Sequence, residues 1–175
     1  MHWMFLPLKR YAEFSGRSRR TEYWMFFLFQ ILLAVAFWVL MAIVGGGALM
    51  SGGDATALAA AGGAIMIVSA LYGLVSLALL IPAIAVTVRR LHDTNRTGWW
   101  VLAPIAGYVL VLVGVAMAAS SPDNPGLGGI LAMVGGIAAL VLALVLLVFM
   151  FLEGTRGPNN YGPDPKGEAL DKVFA

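Results

Sequence analysis

The chain has 175 residues, of which 61% are hydrophobic and only 11% charged, with a net charge of +2, two histidines and no cysteine. A soluble domain carries roughly 25% charged residues, and a chain this short cannot hide so much apolar surface from water, so its missing solvent is lipid. Without cysteine there is no disulfide or thiolate site, and two histidines are too few for a zinc site of the usual kind, so neither a metal nor a cofactor is expected.

In chain order, residues 1–22 come first, with Lys9, Arg10, Arg17, Arg19 and Arg20. They read as a cytoplasmic or interfacial N-terminal segment. Four stretches free of Asp, Glu, Lys, Arg and His follow: 23–44, 65–88, 99–119 and 130–152. About 20 residues of helix cross a hydrocarbon core of roughly 30 Å, so each stretch is long enough to span. Length settles helix over strand here, because periodicity cannot do so in fully apolar runs. A cleaved signal peptide explains the first stretch poorly, since the run exceeds the roughly 7–15 residues of such a core and three more spans come after it.

The connectors carry the orientation. The first loop holds a single charge, Asp54, among glycines and alanines, and the third holds only Asp123. The second loop has Arg89, Arg90 and Arg96, and the tail, 153–175, has Arg156, Lys166 and Lys172. All eleven Lys and Arg fall on one face, which the positive-inside rule places in the cytoplasm. Tyr23, Trp24, Trp99 and Trp100 open the first and third spans at that same interface, while Trp38 and Tyr72 belong near the opposite one. The expected fold is an all-α membrane protein, a four-transmembrane-helix bundle with both termini cytoplasmic and its membrane domain over 23–152.

Small residues offer helix contacts inside the bilayer. Gly107 and Gly114 share a face of the third span. The fourth offers two stripes, Gly128, Ala132 and Gly136, and Gly135, Ala139 and Ala143. Pro82 removes a backbone donor from the second span, and Pro104 lies in the first two turns of the third. Glycines at 45–47, 52, 53, 62 and 63 suggest a flexible first loop, and residues 121–126 a tight turn. Gln30 and Tyr108 lie at similar depth, so a hydrogen bond between them with a packing role is expected. No span contains an ionisable side chain of the kind that ion-coupled transporters keep in the membrane, which lowers the transporter reading.

Three segments of the basic face form ordered motifs. The first contains Phe14, Gly16, Arg17, Arg20, Glu22 and Trp24; the second Arg89, Arg90, Leu91, His92 and Asp93, then Gly98, Trp99 and Trp100; the third Gly157, Asn159, Tyr161, Gly162, Asp164 and Pro165. Together they resemble the bacterial inner-membrane family catalogued as domain of unknown function 805. Thr97 stands where the family often has serine, which keeps the hydroxyl. The resemblance covers nearly the whole chain. It implies the four-span topology and a bacterial inner membrane, but no activity, because none is established for the family.

Read from their chemistry, these residues support two roles. As a structural clamp, Glu22 pairs with Arg89 or Arg90 and Asp93 caps a turn, with Asn159 and Tyr161 as further clamp candidates. As a lipid-headgroup or anion site, Arg17, Arg20, Arg89, Arg90 and His92 supply cations and Trp99 and Trp100 the interfacial rings. A catalytic role for His92 oriented by Asp93 is the weakest reading, since adjacent residues rarely face each other and no nucleophile is evident. The expected protein is therefore non-enzymatic, binding a partner or anionic lipid through its cytoplasmic face; a small membrane enzyme acting on a phosphorylated lipid is the alternative, and a transporter the second alternative. Expected partners are membrane lipids and a protein partner or a second copy of the chain. Nucleic acid is not among them, because membrane position explains the basic residues better.

Overall fold

A computed structural model describes residues 2–50, 52, 54–121, 124 and 126–167. Pro122, Asp123 and Pro125 of the expected turn, Gly53 of the first loop and Lys172 of the tail lie outside them. The described residues are helical almost throughout: α1 (His2–Lys9), α2 (Arg20–Met50), α3 (Ala55–Asp93), a 3-10 turn (Gly98–Leu102), α4 (Ala103–Ser120) and α5 (Gly126–Phe151). Four of these segments are long and apolar enough to cross a membrane, the 3-10 turn and α4 counting as one. Their side chains are largely exposed, including Leu32, Trp38, Leu77, Leu112 and Leu140. Such a surface is soluble only in hydrocarbon.

The glycine-rich first loop is a correction. Gly45, Gly46 and Gly47 lie within α2, and Gly62 and Gly63 within α3. Glycine costs about 1 kcal/mol in a helix interior in water. In lipid no water competes for the peptide groups, so a continued helix is the state that satisfies them. At 1.5 Å per residue α3 is about 58 Å long, well beyond the hydrocarbon core.

The chain forms two compact units, one of Met1–Glu13 and Thr21–Val86, the other of Phe14–Arg20 and Thr87–Ala175. In the first, Phe5 of α1 meets Phe29 of α2 edge-on at 5.6 Å between ring centroids, and Phe37 of α2 stacks on Tyr72 of α3 at 4.1 Å. Pro82 in α3 has no N–H, so the carbonyl four residues earlier loses its helical donor. That carbonyl belongs to Ala78, and the Tyr11 hydroxyl donates to it at 2.6 Å. Gln30 is half-buried in this unit.

In the second unit α4 packs on α5 through glycine. A Cβ built on Gly107 would lie 2.5 Å from the amide nitrogen of Ala139, one on Gly128 2.5 Å from that of Ala118, and one on Gly135 2.7 Å from that of Val111. A Cβ on Gly114 would overlap the amide of Ala132. Backbone-to-backbone approach of this kind is what small residues permit in membranes. The seam runs through Gly128, Ala132, Gly135 and Ala139, taking part of each predicted stripe. Gly136 is outside it, with its nearest neighbour, a Val111 methyl, 4.0 Å from a built Cβ. The third span starts as a 3-10 turn, and Pro104 sits at the start of α4, where its missing N–H costs nothing. Tyr108 is 58% exposed on α4.

Candidate functional site

The second unit holds the motif residues other than Glu22 and Trp24, many of them around the end of α3. That end is closed by backbone geometry: Asn95 has φ +58°, Arg96 N–H donates to the Leu91 carbonyl at 3.0 Å, and Asn95 N–H to the His92 carbonyl at 3.0 Å. This pair of bonds is a Schellman termination, with asparagine in the left-handed position that glycine usually fills. The turn therefore does not need Asp93 as its cap, contrary to the sequence expectation. Asp93 instead turns its carboxylate to two arginines.

Arg17 is the centre of the arrangement. Its side chain is 2% exposed, and its Nε and Nη2 lie 3.0 and 2.9 Å from Asp93 Oδ1. Nη2 also donates to the Thr155 carbonyl at 2.5 Å, and Nη1 to the carbonyls of Gly157 at 2.6 Å and Gly162 at 3.4 Å. A guanidinium offers five donors in a rigid fork. Here the tail wraps around that fork and presents carbonyls to it. Gly157, at φ +75°, makes the bend that turns one of those carbonyls inward.

Arg90 is fully buried and pairs with the other oxygen of Asp93. It also donates from Nε to the Met150 carbonyl at 3.4 Å and from Nη2 to the Leu152 carbonyl. Arg20 donates to the Phe151 carbonyl at 3.2 Å and faces Glu153 at 3.4 Å, both partners of that ion pair being exposed. Helix α5 ends at Phe151 with no basic residue in its last turn. The last carbonyls of a helix lack internal donors and carry the negative end of its dipole. Two arginines from elsewhere in the chain supply both donors and charge. The sequence signal was present, a helix end without its own cation, but the spacing along the chain hides which arginine answers it.

The tail is held by further bonds. Thr155 N–H donates to the Asp93 carbonyl at 2.8 Å, and Asn159 Nδ2 to the His92 carbonyl at 2.9 Å. Asn159 and Gly162 exchange backbone bonds of 3.1 and 3.2 Å, closing a turn that carries Tyr161. Tyr161 stacks on His92 with centroids 3.9 Å apart, and His92 Nδ1, which must carry the proton to face a carbonyl, donates to Gly16 O at 3.2 Å. Arg19 donates to the Pro165 carbonyl. Asp164 accepts from Lys166 N–H at 2.9 Å and Gly157 N–H at 3.1 Å. The Lys166 bond, then the Gly157 bond and the charge of Arg17, hold its carboxyl below the usual carboxylate range. A Cβ on Gly154 would overlap the Asp93 carboxylate, so this glycine is required by the ion pair. Thr155 and Gly154 escaped the sequence reading because a carbonyl or a missing side chain leaves no chemical signature.

Arg89 is fully buried, and its carbonyl accepts from Ser18 N–H at 3.1 Å. Glu22 belongs to the first unit, where it is 2% exposed and has Arg10 Nη1 at 3.9 Å; its expected partners, Arg89 and Arg90, belong to the second. Trp99 is 77% exposed in the 3-10 turn, while Trp100 meets Phe149 of α5 edge-on at 5.2 Å. Among the described residues no group of three His, Cys, Asp or Glu side chains is placed to hold a metal.

Comparison with known proteins accounts for the motifs. The family model described as "Protein of unknown function (DUF805)" matches residues 11–163. Inner membrane protein YhaI of Escherichia coli K12 is 32% identical over 169 residues, spanning 95% of this chain and 97% of its own length. Inner membrane protein YhaH of the same strain is 32% identical over 168 residues, spanning 96% and 99%. Uncharacterized protein YiiR is 34% identical over 88 residues, about half of each chain. No solved structure matches. The arginine-centred cap and the four apolar helices are thus those of a multi-pass inner-membrane protein, and the chain belongs to the DUF805 family.

Proposed function

We propose that this is a non-enzymatic membrane protein that recognises an anionic lipid surface or a protein partner through its basic face, with that face and both termini in the cytoplasm. The charge distribution supports the orientation, since every Lys and Arg falls on one side of the four apolar runs. On this reading residues 1–22 and 153–175 flank a membrane domain over 23–152.

The observation that carries the functional reading is the internal use of the cap's own chemistry. Arg17 and Arg90 are buried on Asp93 and on backbone carbonyls, and His92 is stacked on Tyr161. A phosphate pocket or a general base would need those groups open to a ligand. Trp99 and Arg20 remain on the surface, where they suit contact with headgroups or a partner. Native mass spectrometry of gently extracted protein tests this. Retained anionic phospholipid or a stoichiometric protein is expected; conversion of an added phospholipid, or protein free of both lipid and partner, would overturn it. Reporter fusions at Asp54 should register outside the cytoplasm and fusions after Ala175 inside.

A further inference from the structure

Outside the clamp, the second unit carries a concave apolar site with a cation at its mouth. Val141, Leu144, Val145, Val148 and Phe149 of α5 line a groove of about 390 Å³. That lies within the roughly 300–1,000 Å³ usual for ligand pockets. From Phe149 to Val141 it runs about 12 Å along the helix. Phe149 is its polar end, because the Arg96 guanidinium lies over that ring, 4.1 Å from the centroid. Trp100 meets the same ring edge-on. Among the described residues the one side-chain hydrogen bond of Arg96 is a long one, Nη1 to the Thr94 carbonyl at 3.3 Å. Unlike Arg17 and Arg90, this arginine keeps donors for an outside acceptor, and it is only half-buried.

We propose that this is a phospholipid site: the phosphodiester of an anionic lipid sits on Arg96, beside Trp100, and one acyl chain lies in the α5 groove. Charge complementarity at one end and a wholly apolar lining along the rest match a molecule with an anionic head and a hydrocarbon tail. The cation–π contact fixes the guanidinium plane over Phe149 and leaves its edge to make charge-assisted bonds with phosphate oxygens. A choline headgroup would bring its own cation towards Arg96, so phosphatidylglycerol should be favoured over phosphatidylcholine of the same chains. This site rests on the anionic-lipid arm of the function proposed above and gives it an address.

The test is native mass spectrometry of delipidated protein given phosphatidylglycerol or phosphatidylcholine. The wild-type chain should retain phosphatidylglycerol preferentially. Arg96→Gln should reduce that preference roughly ten-fold, the order expected for one charge-assisted contact, without changing helicity. Val145→Trp, which fills the groove, should abolish retention of both lipids. Val141→Trp, at the end of the groove away from Arg96 where the residue is 51% exposed, should do the same with less risk to folding. If the wild-type preference persists in all three variants, the groove is not the site, although anionic-lipid recognition elsewhere on the basic face would stand. If the wild-type chain shows no preference at all, both readings fall.

Discussion

The Tyr11 hydroxyl donates to the Ala78 carbonyl, the one carbonyl of α3 that Pro82 deprives of its helical donor. In lipid an unsatisfied carbonyl finds no water, so the missing donor in the α3 ladder and the tyrosine ahead of α2 form a structural pair. Tyr11→Phe should lower stability by about 1 kcal/mol, the range of a single membrane hydrogen bond. In a Pro82→Ala background the helix regains its own donor and the same change should cost far less. Unfolding of the four chains in mixed micelles checks this, and simple additivity would argue against the pairing.

The Asp93 carboxylate serves two buried arginines at once. Asp93→Asn leaves both without a counter-charge and should destabilise by about 3 kcal/mol or more, the cost of breaking a buried pair. Arg17→Lys keeps the charge but loses the fork that reaches Asp93 and three tail carbonyls. It should release the tail to limited proteolysis after Phe151 while the apolar helices stay protected.

The α4–α5 seam separates two glycines that look alike in sequence. Gly114→Ala would place a methyl on the Ala132 amide and should cost roughly 1–3 kcal/mol through forced separation of the helices. Gly136→Ala meets only a Val111 methyl at 4.0 Å and should be neutral or slightly stabilising. Thermal unfolding in detergent distinguishes the two; equal losses would place the seam on another face.

Asp164 gives the tail a pH dependence. Its carboxyl is held below its ordinary value, chiefly by the Lys166 N–H. A depressed carboxylate stabilises the folded tail above its unfolded value of about 3.9, and that contribution is lost as pH falls through the lower folded value. The tail should therefore become protease-sensitive only at acid pH. Asp164→Asn should make it sensitive at neutral pH and remove the acid transition, as followed by cleavage within residues 153–167.

Sequence alone is enough for the four apolar helices, for the place of every Lys and Arg outside the apolar runs, and for the ordered motifs that contain Asp93, Asn159 and Tyr161. Each follows from a one-dimensional quantity: the length of a charge-free run against bilayer thickness, the place of a charge relative to that run, or an ordered motif. Which donor meets which acceptor depends on how the chain folds back on itself. Arg17 finds Thr155 and Gly157, and Arg90 finds Leu152, because the tail returns to the end of α3, and carbonyls carry no side-chain signature. The choice of Gly128, Ala132, Gly135 and Ala139 over Gly136 was equally hidden. Both predicted stripes are small enough to pack, and only the rotation of α5 against α4 determines which backbone comes close.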